Sequence, residues 1–110
     1  MTDRMINLKL DMGAVKDTAE YKDTSPEKLA AHIIIGAMLS YSQQNKGILA
    51  SERKQYYKIT DELGKALDEN KSEFPVNEQD FGFLRKIFRE VKLVPNGLLK
   101  QIEDQILISI

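Results

Sequence analysis

Thr24-Ser25-Pro26-Glu27 opens the segment that constrains the architecture of this chain most. Two hydroxyl residues able to cap a helix precede a proline suited to its first turn, and Glu27 follows Thr24 at the three-residue spacing of a capping box. The helix so begun is predicted from about Pro26 to about Gln44, where Asn45-Lys46-Gly47 stops it, the glycine taking the left-handed conformation. Leu29, Ala30, Ile33, Ile34, Ala37, Met38 and Tyr41 fall on overlapping faces, so much of its circumference is apolar. Such a helix is either central to a core or shared with another subunit.

The rest of the chain reads as elements gathered around that helix. Ser51 is predicted to cap a second helix to about Glu69, with a seam of Tyr56, Ile59, Leu63, Ala66 and Leu67 and the Asp61/Lys65 pair turned outward. Asn77 and Asp80 suit the start of a third helix, whose apolar face is Phe81, Leu84, Phe88 and Val91, reinforced by Phe83 and Ile87. Val94-Pro95-Asn96-Gly97 then breaks the chain before a fourth helix from about Leu98 to Ile106. Ile6, Leu8 and Leu10 alternate with Asn7 and Lys9, the period of a half-buried strand. Pro75 extends Glu73-Phe74-Pro75-Val76, which is expected to pair with it. Between them lies an irregular arm, with a short second strand considered around Ala14 to Lys16. The expected fold is mostly α: a compact bundle of about four helices with one or two short N-terminal or central strands. At 110 residues a second core would leave each half too small, so residues 1–110 read as one domain with the strand and arm at about 1–24.

Composition removes most catalytic chemistry from consideration. The chain has no cysteine, hence no disulfide, thiolate zinc site or cysteine nucleophile, and its one histidine, His32, has Lys28, Leu29, Ile35 and Gly36 as helical neighbours, none a carboxylate. The acidic pairs Asp61/Glu62, Asp68/Glu69 and Glu103/Asp104 are adjacent in sequence, so their side chains diverge by about 100° on a helix. The six glycines never cluster into a phosphate-cradling loop. No enzyme class, cofactor or metal site is therefore expected. A net charge of -1 gives no general pull toward nucleic acid or anionic membrane, and no apolar run reaches the length of a bilayer span. The N-terminus lacks the basic start and apolar stretch of a secretory signal, so a complete, cytoplasmic product is expected.

Two features point to binding. Arg85, Arg89 and Lys92 align along one edge of the third helix with Lys86 close by, a stripe that could grip an anion or an acidic partner. A looser basic group, Arg53, Lys54 and Lys58, sits beside Tyr56 and Tyr57, and of these rings Tyr57 is the one not claimed by the core seam. Ile33, Ile34, Phe83 and the apolar tail, including Ile108 and Ile110, are candidate interface residues. Against this, a small domain needs every apolar residue it has for its own core.

The order of these features resembles the small uncharacterised proteins encoded in tailed-phage and prophage genomes. It rests on the strand Ile6 to Asp11, a helix of small and branched apolar residues, the Arg53-Lys54-Gln55-Tyr56-Tyr57-Lys58-Ile59 helix, a capped helix from about Asn77 and a short closing helix. The pattern covers Ile6 to about Asp104, and the apolar tail Gln105 to Ile110 departs from it. The resemblance implies a small phage product acting inside the host cell, with no catalytic residue to carry over. The expected function is a non-enzymatic binding protein that works through a protein partner or as a homo-oligomer. The alternative is an oligomer binding an anionic small ligand or nucleic acid through the basic edge.

Overall fold

In the computed structural model, which describes residues 4–11 and 25–108, the N-terminal alternation forms strand β1 (Arg4–Asn7) and the proline-extended segment forms β2 (Glu73–Val76). They pair antiparallel, with Ile6 opposite Phe74 and Arg4 opposite Val76. The Leu8 N–H continues the ladder by donating to the Ser72 carbonyl at 2.7 Å. Ile6, Leu8 and Leu10 are buried while Asn7 and Lys9 face water, as their alternation predicts. The irregular arm beyond Asp11, with its considered strand at Ala14 to Lys16, lies outside the described residues.

Four helices follow: α1 (Pro26–Gln44), α2 (Ala50–Asp68), α3 (Glu78–Glu90) and α4 (Gly97–Glu103), the last running into a π-helical turn at Asp104–Ile108. Ser25 caps α1, its hydroxyl accepting the Lys28 N–H at 3.2 Å, with Pro26 in the first turn. Asn77 caps α3 by accepting the Asp80 N–H at 2.8 Å. Asn96 caps α4 by accepting from both Leu98 and Leu99. At α2 the prediction is corrected: the capping position belongs to Leu49, which makes no side-chain bond, and Ser51 lies inside the first turn. The loop leaves α1 by a route that places Leu49 there, whatever its side chain.

The end of α1 also differs in detail. Lys46, at φ 55°, takes the left-handed position, and Gly47, at φ 108°, follows it. The Gly47 N–H returns to the Ser42 carbonyl at 2.7 Å and that of Lys46 to Gln43 at 3.2 Å. The same paired closure ends α2, with Asn70 left-handed and Lys71 bonded to the Ala66 carbonyl.

The buried apolar residues form one cluster. α1 contributes Leu29, Ala30, Ala31, Ile34, Ala37, Met38 and Tyr41, and α3 contributes Phe81, Phe83, Leu84, Ile87 and Phe88. α2 adds Ile59, Leu63 and Ala66, the strands add Ile6, Phe74 and Val76, and Leu98, Leu99, Ile102 and Ile106 close the end.

Three glutamine amides tie distant backbone to this core. Gln105 accepts from the Asn7 N–H at 2.7 Å and donates to its carbonyl at 3.0 Å. Gln101 does the same for Asp11, and Gln44 for Lys92. Each occupies a backbone donor and acceptor together, as a neighbouring strand would.

Candidate functional site

The residues proposed from sequence divide sharply in this fold. Ile34 and Phe83 are buried at 0% and 5% exposure, which corrects their assignment to an interface: the core of the chain itself claims both. Phe83 stands edge-on to Tyr41, with ring centroids 6.2 Å apart. Ile33 is partly buried against the same core. The Ile108 side chain and Ile110 lie outside the described residues.

The basic edge is also split. Arg85 is drawn partly into the surface, its guanidinium 6.0 Å from the centre of the Phe81 ring and its Nε buried without a hydrogen-bond partner. Arg4 approaches the same ring at 4.4 Å. Lys86 points away from that row, because adjacent helical residues diverge by about 100°, and its Nζ reaches the Glu52 carboxylate on α2 at 2.8 Å. Arg89 remains exposed on α3, whereas Lys92, also exposed, is corrected from a place on that helix: α3 ends at Glu90, Val91 is extended, and the Lys92 backbone is held by Gln44. The four cations therefore do not form a single anion-facing row.

Two other surfaces emerge. The first is the outer face of α1, where His32, Ile35, Gly36, Leu39 and Gln43 are exposed, Leu39 by 49% and Ile35 by 37%. No Asp, Glu, Lys or Arg stands between Lys28 and Lys46. Beside this face runs a shallow groove of about 240 Å³, lined by His32, Ile33, Gly36, Ser40, Leu93 and Val94 among others. Val94 is 84% exposed, and a methyl group added at Gly36 would meet nothing within 4 Å. Sequence reasoning missed Ile35 and Leu39, although the long uncharged stretch was there to be read: a helix packed on one side only would ordinarily carry charge on the other.

The second surface is a cleft of about 810 Å³ between the end of α1, the 45–49 turn, the first half of α2 and one side of α3. Its wall holds Tyr41, Tyr56 and Tyr57, which are buried, half-buried and exposed in turn. Tyr56 and Tyr57 pack edge to face at 6.1 Å. Burial, and then the neighbouring Tyr57, pushes the Tyr56 phenol above its ordinary value. The Lys86 ammonium is held above its own by the hydrogen bond to Glu52 first and by Tyr41 next. Lys86 and Glu52 lie 34 residues apart, a separation that no local pattern bridges.

No family model, curated protein or solved structure matches the chain. Among the described residues no helix is long and apolar enough to cross a membrane, and no group of three or more His, Asp or Glu side chains gathers as a metal site would.

Proposed function

We propose that this is a non-enzymatic binding protein that docks another protein chain, in the first instance a second copy of itself, on the outer face of α1. The carrying observation is that Ile35 and Leu39 stand in water on a helix without an Asp, Glu, Lys or Arg between Lys28 and Lys46, and that Val94, also exposed, lines the groove that adjoins this face at His32 and Gly36. In a chain with 30% charged residues, the exposed sides of α2 and α3 are studded with Lys, Arg, Asp and Glu. An uncharged face that also exposes branched aliphatics is the composition of an interface core. A second copy suits it because a two-fold contact sets each residue of the patch against the same patch, where no like charges oppose each other. We propose the host cytoplasm as its setting, on the resemblance to small phage-encoded proteins alone.

The basic edge of α3 supports the anion-binding alternative less well, since Lys86 is engaged with Glu52 and Arg85 lies against Phe81. Light scattering at several protein concentrations, in low and high salt, tests the leading reading. The expected mass is a multiple of 12.6 kDa that salt does not reduce, falling to 12.6 kDa in Leu39→Glu with the fold intact. A mass of 12.6 kDa at every concentration overturns self-association.

A further inference from the structure

The α1–α2–α3 cleft lies apart from the outer face of α1 and its chemistry is different. Its volume, about 810 Å³, is within the range of small-molecule sites. The charges along it are unevenly placed. On the α3 side, Lys86 is paired with Glu52 at 2.8 Å, and Glu90 follows Lys86 by one helical turn. That side is filled by its own ion pair and an additional carboxylate. On the side of the 45–49 turn stand Lys46 and Arg53, neither with an ion-pair partner among the described residues. The Arg53 guanidinium is drawn toward the turn, where Nη1 donates to the Ile48 carbonyl at 3.4 Å.

The wall mixes polar and apolar groups, and its exposed apolar surface comes from one aromatic ring and one leucine. Tyr57 is 61% exposed and Leu49 is 68% exposed, both lining the cleft. Tyr57 packs edge to face against Tyr56 and leaves most of its ring in water, as a platform at the border of this cleft and of a second surface lined by Lys54, Lys58 and Asp61. A ring stacked on such a platform gains contact with little ordering, and an anionic group on that ring would reach the two cations at the turn. The geometry points to a binding site for a small planar aromatic anion, a flat ring bearing a phosphate or a carboxylate, stacked on Tyr57 with its charge toward Arg53 and Lys46.

Backbone amide NMR titrations of the full chain test this with four probes: AMP, indole-3-acetate, adenosine and inorganic phosphate. AMP, indole-3-acetate or both should give saturable shifts confined to residues 45–57 and their neighbours on α3. Adenosine and phosphate, each with half of the required chemistry, should bind about tenfold more weakly. Arg53→Gln and Tyr57→Ala should each weaken binding about tenfold while leaving the α4 amides unmoved. Both are exposed positions, so the variants keep the fold. A response to AMP alone names the phosphate source, and one to indole-3-acetate alone names the carboxylate. The assignment is overturned if neither ring-bearing anion saturates, if phosphate alone binds as well as AMP, or if both variants bind like the unmodified chain.

Discussion

On α3 the apolar residues Phe81, Phe83, Leu84, Ile87 and Phe88 are buried, while Glu78, Gln79, Lys86, Arg89 and Glu90 face outward. On α1 an equally apolar inner side is backed by Ile35 and Leu39 in water and by no Asp, Glu, Lys or Arg from Leu29 to Asn45. Both helices belong to one core, and from sequence both offered themselves as partner surfaces. The difference is that the apolar residues of α3 are used up inside the chain, whereas α1 has more than its own core takes. A large apolar content is thus not by itself a sign of an interface; apolar residues on the side facing away from the core are.

The neighbours Ile34 and Ile35 put that comparison to its hardest test. Ile34→Ala, at a fully buried site, should destabilise the fold by about 2–5 kcal/mol in urea unfolding. Ile35→Ala, measured on dilute protein, should stay within about 0.5 kcal/mol of the unmodified chain. Equal losses in dilute solution would mean that α1 is covered on both sides within a single chain, and the contrast with α3 would collapse.

Glycine gives a smaller and sharper contrast. Gly36 on α1 and Gly82 on α3 both sit in helix interiors, and a methyl group added at either meets nothing within 4 Å. Each change to alanine should therefore stabilise the isolated chain by about 0.5–1 kcal/mol, through lower backbone entropy in the unfolded state. Only Gly36→Ala should also alter the concentration dependence of the mass in light scattering, because only that position floors the groove beside the α1 face. If Gly82→Ala shifts the mass as well, the interface extends to α3.

What could be read from the sequence was whatever is local. The Ile6-Leu8-Leu10 alternation, the seam Ile59-Leu63-Ala66, the Asn77 cap and the proline-extended partner for the first strand all appear as predicted, because each depends on residues a few positions apart. The larger departures arise where distant parts of the chain meet. Nothing near Lys86 in sequence foretells Glu52, and nothing near Gln105 foretells the Asn7 backbone, 98 residues away. Two smaller departures are local: Lys46 joins Gly47 at positive φ in the closure bonded to Gln43 and Ser42, and Leu49 rather than Ser51 stands at the α2 cap. Of the cleft, made by three helices, the sequence offered Arg53, Tyr56 and Tyr57 from one basic group and Lys86 from another without joining them, while Lys54 and Lys58 line a different surface and Lys58 pairs with Asp80.

The smallest expected effect separates the two surfaces by pH. The cleft carries two groups whose protonated forms the fold favours: Lys86, through its hydrogen bond to Glu52 and then the neighbouring Tyr41, and Tyr56, through burial and the neighbouring Tyr57. Both are raised above the values they take in an unfolded chain, 10.5 and 10.0. Their stabilisation is therefore complete below those values and is lost as pH climbs through the higher folded ones. Melting temperature should hold through neutral pH and begin to fall above about pH 10. Lys86 is half exposed, so its share is modest and is further reduced by salt. Lys86→Met should lower the melting temperature slightly at pH 8 and make the alkaline decline shallower, and Tyr56→Phe should flatten it further. The outer face of α1, without a Lys or Tyr among its exposed residues from His32 to Gln43, should associate equally well across the same range. Self-association that weakens in step with the melting temperature above pH 10 would show instead that the cleft and the α1 face act as one surface.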